Sequence, residues 1–287
     1  MSLIPHNEIC DLAKLTMLVY EYGKNFTIDS DQTIEDFVKE SLSSEEGRIK
    51  NESSHFVNLL KVIKELSSSS PHGKVHKFYS VKSTDLQVGI TISETHKRIC
   101  VVFRGSESSY DWYYDLSFLK KQLHDNVYVH GGFYNQLHGD EMYDKLKSDL
   151  LELIHQNQGY KIYITGHSLG AALSTLFGYE LSKDIDNDIC VVSFASPRVG
   201  NSEFRTEFDK KSNLIHYRVS NDRDIVTAAP MFYFQHVGIN IALSENDFEV
   251  YFNYDYNWLK YSLFNCWRVS DHDMDLYYKR ISNSSWL

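Results

Sequence analysis

Cysteine is scarce in this 287-residue sequence. It occurs four times, at Cys10, Cys100, Cys190 and Cys266, and no two of these form a Cys-x-x-Cys pair, which excludes the dithiol redox motif. Cys100 and Cys190 sit inside apolar, strand-like runs, so buried free thiols are expected. Positive charge is in deficit as well: 29 Lys and Arg stand against 39 Asp and Glu, a net charge of −10. An acidic chain has no electrostatic attraction to nucleic acid or to an anionic membrane surface, so neither is an expected partner. No run of about 18 apolar residues is present, and no membrane-spanning helix is expected. No cluster of His, Asp and Glu shows metal-ligand spacing, so neither a metal nor another cofactor is expected. A signal-peptide pattern is missing too, because Asn7, Glu8, Asp11 and Lys14 interrupt the apolar residues near the N-terminus. A cytoplasmic location is the resulting expectation. There is no internal repeat.

Apolar side chain, by contrast, is plentiful. Hydrophobic residues make up 42% of the chain, with 20 Tyr and 16 Phe, enough for a packed core or an apolar ligand surface. The length suits one large α/β domain or two small ones. We expect a single domain over 1–287, with a helical region over 1–70 and the main core over 71–287. Ile9, Leu12, Ala13, Leu15, Thr16, Val19 and Tyr20 recur at helical spacing. Further helices are expected over 34–42 and 56–66, and residues 67–73 read as a loop. Beyond Gly73 the pattern changes. Strands are expected over 78–83 and 87–93, and 99–103 is a near-continuous apolar run of the kind buried on both faces of a sheet. A long helix over 132–156, strands at 160–165, 189–195 and 214–219, and helices at 171–179, 202–211 and 271–281 complete a β-α-β alternation. That alternation predicts an α/β fold with a mainly parallel sheet and helices on both faces.

The most informative segment is Gly166-His167-Ser168-Leu169-Gly170-Ala171-Ala172. It links an apolar strand to a helix, the context in which Gly-x-Ser-x-Gly becomes a nucleophile elbow. Such a turn holds the serine in a strained conformation with its hydroxyl projecting. It needs glycine at 166 and 170, where a side chain would strike neighbouring backbone. The helix behind it aims free N–H groups at the place where an oxyanion forms.

A serine hydroxyl needs a base, and the base an orienting acid. In folds with this elbow the order is Ser, then Asp or Glu, then His. Asp222 and Asp224 both lie after the strand at 214–219, and spacing does not separate them. Only His236 and His272 follow those acids. His236 lies in a stretch that reads as a strand with an internally bonded histidine. His272 sits in polar Ser270-Asp271-His272-Asp273, just before the last helix, and is favoured. His167 is expected to point away and pack beneath Ser168. One oxyanion donor should be the Leu169 N–H. The loop Arg104-Gly105-Ser106 stands where the second is needed, so Ser106 could offer an N–H and a hydroxyl.

Five segments, in order, then resemble one known family: Val101-Val102-Phe103-Arg104-Gly105-Ser106, Val129-His130-Gly131-Gly132-Phe133, residues 164–173 around the elbow, Ala195-Ser196-Pro197-Arg198-Val199-Gly200, and residues 217–226. The family is that of the class 3, fungal-type triacylglycerol lipases of the α/β-hydrolase fold. The resemblance implies Asp224 as the acid, since it directly precedes Ile225-Val226, and His272 as the base before the final helix. It supports Ser106 and Leu169 as oxyanion donors and makes 71–287 the catalytic core. It also implies a lid after Ser106, over 107–116, with Tyr110, Trp112 and Tyr113 facing substrate. One departure follows Val226, where Thr227-Ala228-Ala229 precede Pro230 and the family has a proline directly. The implied activity is serine-dependent hydrolysis of lipid carboxylic esters, with a lipid or other ester as partner and transient contact with a lipid interface. The alternatives are an esterase on soluble esters, of feruloyl type, or a catalytically silent scaffold for protein binding.

Overall fold

The computed structural model describes residues 3–23, 26–29, 32–43, 62, 65, 72–106, 119–230, 232–245, 247–252 and 268–284. The chain begins with α1 (His6–Glu21) and α2 (Ile34–Ser43) and continues through β1 (Lys74–Val81), β2 (Leu86–Ser93) and β3 (Arg98–Phe103). A hairpin, β4 (Lys120–His124) and β5 (Val127–His130), leads to α3 (Gly131–His138) and α4 (Met142–Gln156). There follow β6 (Lys161–His167), α5 (Leu169–Asp184), β7 (Ile189–Phe194), α6 (Ser202–Asp209), β8 (Leu214–Asn221), β9 (Ile239–Leu243), β10 (Phe248–Tyr251) and α7 (Met274–Asn283).

The apolar run of β3 explains its place. Successive side chains of a strand point to opposite faces, and every residue of β3 is buried. Ile99, Val101 and Phe103 enter one hydrophobic cluster, Cys100 and Val102 another. A strand buried on both faces must be internal. Accordingly, β2 pairs with it antiparallel and β6 parallel. The sheet order is β1-β2-β3-β6-β7-β8-β9-β10. Its centre, β3 to β9, is parallel, and β1, β2 and β10 are antiparallel additions at the edges. The centre matches the expected alternation, and helices cover both faces. Phe133 and Leu137 of α3, Leu146 and Leu150 of α4, Leu173, Leu176 and Phe177 of α5, and Phe204 and Phe208 of α6 fill one cluster. Ile9, Leu12 and Leu15 of α1 and Met274, Tyr277 and Ile281 of α7 fill the other. No helix among the described residues is long and apolar enough to cross a membrane.

Charge anchors α1 to the sheet. Arg98, 1% exposed at the start of β3, holds Glu8 at 2.9 Å and Asp11 at 3.3 Å. Removing one partner of such a buried cluster strands the others and costs about 3–5 kcal/mol.

The structure corrects three expectations. The helix over 132–156 is two helices, α3 and α4, joined by a 3₁₀ turn at Gly139–Glu141. Asp140 and Glu141 have φ of 52° and 60°, which no α-helix continues through. On one continuous helix Phe133 and Leu137 would lie opposite Leu146, Leu150 and Leu153, and the break lets both sets enter the same cluster. The stretch around His236 is not a strand: only Gln235 bridges, to Gly200. Cys190 is only partly buried, whereas Cys100 is fully so; Cys10, Cys100 and Cys190 are all free thiols. The helix expected over 56–66, apart from Val62 and Glu65, and the lid over 107–116 lie outside the described residues.

Candidate active site

β6 ends at His167 and α5 begins at Leu169, so Ser168 alone forms the turn. Its φ of 58° and ψ of −124° lie in a region that costs a non-glycine residue on the order of 1–3 kcal/mol. The surroundings hold it there. Its N–H donates to Phe194 O at 3.0 Å, and its carbonyl accepts from Ala171 and Ala172 N–H at 3.0 and 3.2 Å. Both flanking glycines are obligatory. A Cβ on Gly166 would strike the backbone of Gly170, and would lie 2.8 Å from the Phe103 carbonyl oxygen. One on Gly170 would lie 2.9 Å from the Arg104 carbonyl carbon. The elbow and the end of β3 thus pack backbone to backbone, which brings the 104–106 loop alongside Ser168.

Three of the expected residues meet here. His272 Nε2 is 2.8 Å from Ser168 Oγ. His272 Nδ1 is 3.0 and 2.9 Å from the two carboxylate oxygens of Asp224. An ionised carboxylate only accepts, so Nδ1 carries the proton and Nε2 accepts from the serine hydroxyl. All three side chains are buried. Asp222 is exposed on the same loop and plays no part in this contact. His236 also stands apart. It is buried and its Nε2 donates to Thr227 O at 2.7 Å, bracing the acid loop. Burial, with Arg218 and Arg198 nearby, holds it well below the ordinary histidine range.

Local turns aim the acid and the base. After β8, Asp224 Oδ1 accepts the Val226 N–H at 2.9 Å and the Thr227 hydroxyl donates to Asp224 O at 2.8 Å. These bonds close a 3₁₀ turn at Val226–Ala228, the shape the loop takes without a proline at 227. His272 ends a 3₁₀ turn, Val269–His272, and Asp273 then caps α7 by accepting the Asp275 N–H at 2.7 Å.

Two contributors escape the sequence reading. Tyr277 of α7 donates its hydroxyl to Asp224 Oδ2 at 2.7 Å. Tyr20 of α1 lies 2.9 Å from His167 Nδ1. Both appear in the sequence only as apolar positions of amphipathic helices, and no local motif marks them. His167 itself packs beneath the serine as expected, with its ring 4.6 Å from that of His272. Its Nε2 donates to the His272 carbonyl at 2.8 Å. Burial, and next the neighbouring His272, keep it neutral, well below its ordinary range.

Ser106 is half-buried and directly follows Gly105, which touches the His167 carbonyl. Leu169 opens α5, so its N–H has no partner within the helix. Tyr110, Trp112 and Tyr113 lie outside the described residues. The arrangement supplies a hydroxyl, a base that can take its proton, an oriented carboxylate beyond, and helix-end N–H groups beside the oxygen.

A model of the class 3 lipase family matches residues 100–234, which hold the elbow and both candidate acids. A lipase of Rhizomucor miehei is 29% identical over 181 residues, covering 60% of this chain and 49% of that protein. A phospholipase A1-II 3 of Oryza sativa subsp. japonica is 30% identical over 185 residues, covering 54% and 44%. The chain thus spans about half the length of the relatives it matches. A solved triacylglycerol lipase, described as having a serine protease triad at its catalytic centre, superposes with a TM-score of 0.70. It covers 93% of this chain and 92% of its own at 23% identity, a likeness of fold. The fold is the α/β-hydrolase fold.

Proposed function

We propose, from the match of residues 100–234 to the class 3 lipase family and from the Ser168–His272–Asp224 contact, that this chain is a carboxylic ester hydrolase of that family acting on lipid esters. Ser168 attacks the acyl carbonyl while His272 Nε2 takes the hydroxyl proton. Asp224 holds the imidazole in the tautomer that can do so and stabilises the imidazolium that forms. The N–H groups of Ser106 and Leu169 receive the oxyanion of the tetrahedral intermediate. His272 returns the proton to the departing alkoxide, an acyl-enzyme forms on Ser168, and water releases the acid by the reverse use of the same groups.

The observation that carries this reading is the 2.8 Å contact between His272 Nε2 and a serine held at positive φ. Strain of that kind persists only where its surroundings impose it, and here they do so around a nucleophile next to its base. The relatives support glycerolipid esters as the substrate class, since one is a lipase and another a phospholipase A1. Tyr110, Trp112 and Tyr113 are read as the lid surface that meets substrate and lipid.

The test is covalent labelling. Ser168→Ala should abolish both ester hydrolysis and reaction with a fluorophosphonate probe while the far-UV circular dichroism stays native. Labelling that survives in this variant would reject Ser168 as the nucleophile. A panel of triacylglycerol, diacylglycerol, phospholipid and short p-nitrophenyl esters then identifies the preferred head group.

A further inference from the structure

Helix α1 runs along β6 in matched steps. Four residues of helix rise about 6 Å and two residues of strand about 6.6 Å. Thr16 therefore faces Thr165, with their hydroxyls 3.2 Å apart, and Tyr20 faces His167. The step places one phenol from the N-terminal helix directly under the elbow.

The Tyr20 hydroxyl joins two loops there. His167 Nε2 carries a proton, because it donates to the His272 carbonyl at 2.8 Å. His167 is neutral, so its Nδ1 accepts, and Tyr20 donates to it at 2.9 Å. The Tyr20 oxygen is also seated against Gly105. Gly105 is glycine for this contact: a Cβ there would collide with the phenol oxygen and lie 2.6 Å from the His167 carbonyl oxygen. Burial pushes the Tyr20 phenol above its ordinary range, so it keeps the proton it donates. A hydrogen-bonded chain runs from Tyr20, seated against Gly105, through His167 to the main chain of His272. In a low-dielectric interior such chains reinforce each other.

We propose that Tyr20 is a positioning residue, whose hydroxyl sets the oxyanion loop at Gly105-Ser106 and the base loop at His272 in register with one another through His167. The inference rests on the hydrolase reading above. Neither loop is otherwise adjacent in sequence to the other, and both must be placed to a fraction of an ångström when charge develops on the substrate oxygen. Loss of the hydroxyl leaves the ring in its edge-on contact with His167, at 6.0 Å between centroids, but unpairs His167 Nδ1 and removes the atom against which Gly105 is seated.

The experiment compares the full chain with Tyr20→Phe, His167→Gln and His167→Phe. Each is measured for kcat and KM on p-nitrophenyl butyrate, for its fluorophosphonate labelling rate, and for its unfolding midpoint. Tyr20→Phe should lower kcat and the labelling rate by about 10- to 100-fold, the cost of an ångström-scale misplacement. Its KM should stay within about twofold, because oxyanion donors and base act on the transition state. Glutamine at 167 can accept from Tyr20 and donate to the His272 carbonyl, whereas phenylalanine can do neither. His167→Gln should therefore exceed His167→Phe in kcat by about tenfold or more. A folded Tyr20→Phe with wild-type kcat, or one that changes only KM, overturns the proposal. So does a His167→Gln no faster than His167→Phe, which decides the matter even where Tyr20→Phe does not fold. Failure of the hydrolase reading looks different: the wild-type chain itself is then not labelled at Ser168.

Discussion

The Tyr277 hydroxyl donates to Asp224 Oδ2 at 2.7 Å while its oxygen accepts the Asn221 backbone N–H at 2.9 Å. One side chain of α7 is thus wedged between the carboxylate and the end of β8. Burial, followed by the charge of Asp224, lifts the phenol well above its ordinary range, so it remains a donor to the carboxylate. Tyr277→Phe keeps the ring and removes the oxygen, leaving the Asn221 N–H unpaired and Asp224 Oδ2 with His272 alone. An unpaired buried polar group costs about 1–3 kcal/mol, so stability should fall by about that much in urea unfolding. Turnover should fall about tenfold, as expected for a loss of some 1.4 kcal/mol in the barrier. Wild-type values for both would make the tyrosine a simple core residue.

The two acids of the 222–224 loop should separate sharply. Asp224 is fully buried against His272, and Asp222 is exposed. Asp224→Asn replaces an acceptor with a group that can donate, which favours the wrong histidine tautomer. Turnover should drop by about 10⁴-fold, with the fold retained. Asp222→Asn removes a solvated charge and should leave kcat within about twofold, as most surface substitutions do. Measured kcat values in the reverse order would move the orienting role to Asp222.

Three buried histidines make the fold acid-sensitive. Burial, with Arg218 nearby, brings His216 down to about 3, and burial holds His167 and His236 well below 6.5. The unfolded chain protonates these groups near pH 6.5 and the folded chain does not. The unfolded state therefore binds more protons below that pH, and stability is lost as pH falls from about 6.5 toward the folded values. Each histidine contributes a slope of up to about 1.4 kcal/mol per pH unit, so the three together reach about 4. Urea unfolding between pH 6 and 5 measures the slope, and His216→Gln should reduce it by about one third. A flat profile across that interval would mean that these imidazoles are charged in the folded chain.

What could be read from the sequence was what is local. The elbow needs a strand, two glycines and a helix within about fifteen residues, and each leaves its mark on the pattern. His272 was reachable because chain order and a polar loop leave few histidines. Asp222 and Asp224 were not separable by spacing, because the difference is which of them turns inward, toward His272 and Tyr277, 48 and 53 residues away in sequence. Tyr20 and Tyr277 were invisible as polar groups. Their partners lie 147 and 53 residues away in sequence, and a tyrosine on an amphipathic helix reads as apolar. The break at Gly139–Glu141 does leave a mark, since on one continuous helix Phe133 and Leu137 would fall on the face opposite Leu146, Leu150 and Leu153. The strands β9 and β10 escaped, because no strand pattern was read between residue 238 and the final helix.

The proposed oxyanion donors, Ser106 and Leu169, permit the sharpest kinetic test. Gly105 lodges against the His167 carbonyl, so the residue that follows it is held beside the elbow. Leu169, on the other side of Ser168, offers the first N–H of α5, reinforced by the positive end of the helix. A backbone N–H survives every substitution except proline, so Leu169→Ala should change kcat little. Ser106 differs, because it can add a hydroxyl to its N–H. Ser106→Ala removes only that hydroxyl, and kcat should fall about 10²-fold, the usual loss for one such donor. KM should hold, since the full negative charge exists only in the transition state. Ser106→Thr restores a hydroxyl and should recover most of the loss, whereas a merely structural role for Ser106 would show as a lowered unfolding midpoint in both variants. Wild-type kcat in Ser106→Ala would assign the oxyanion to the two backbone N–H groups alone.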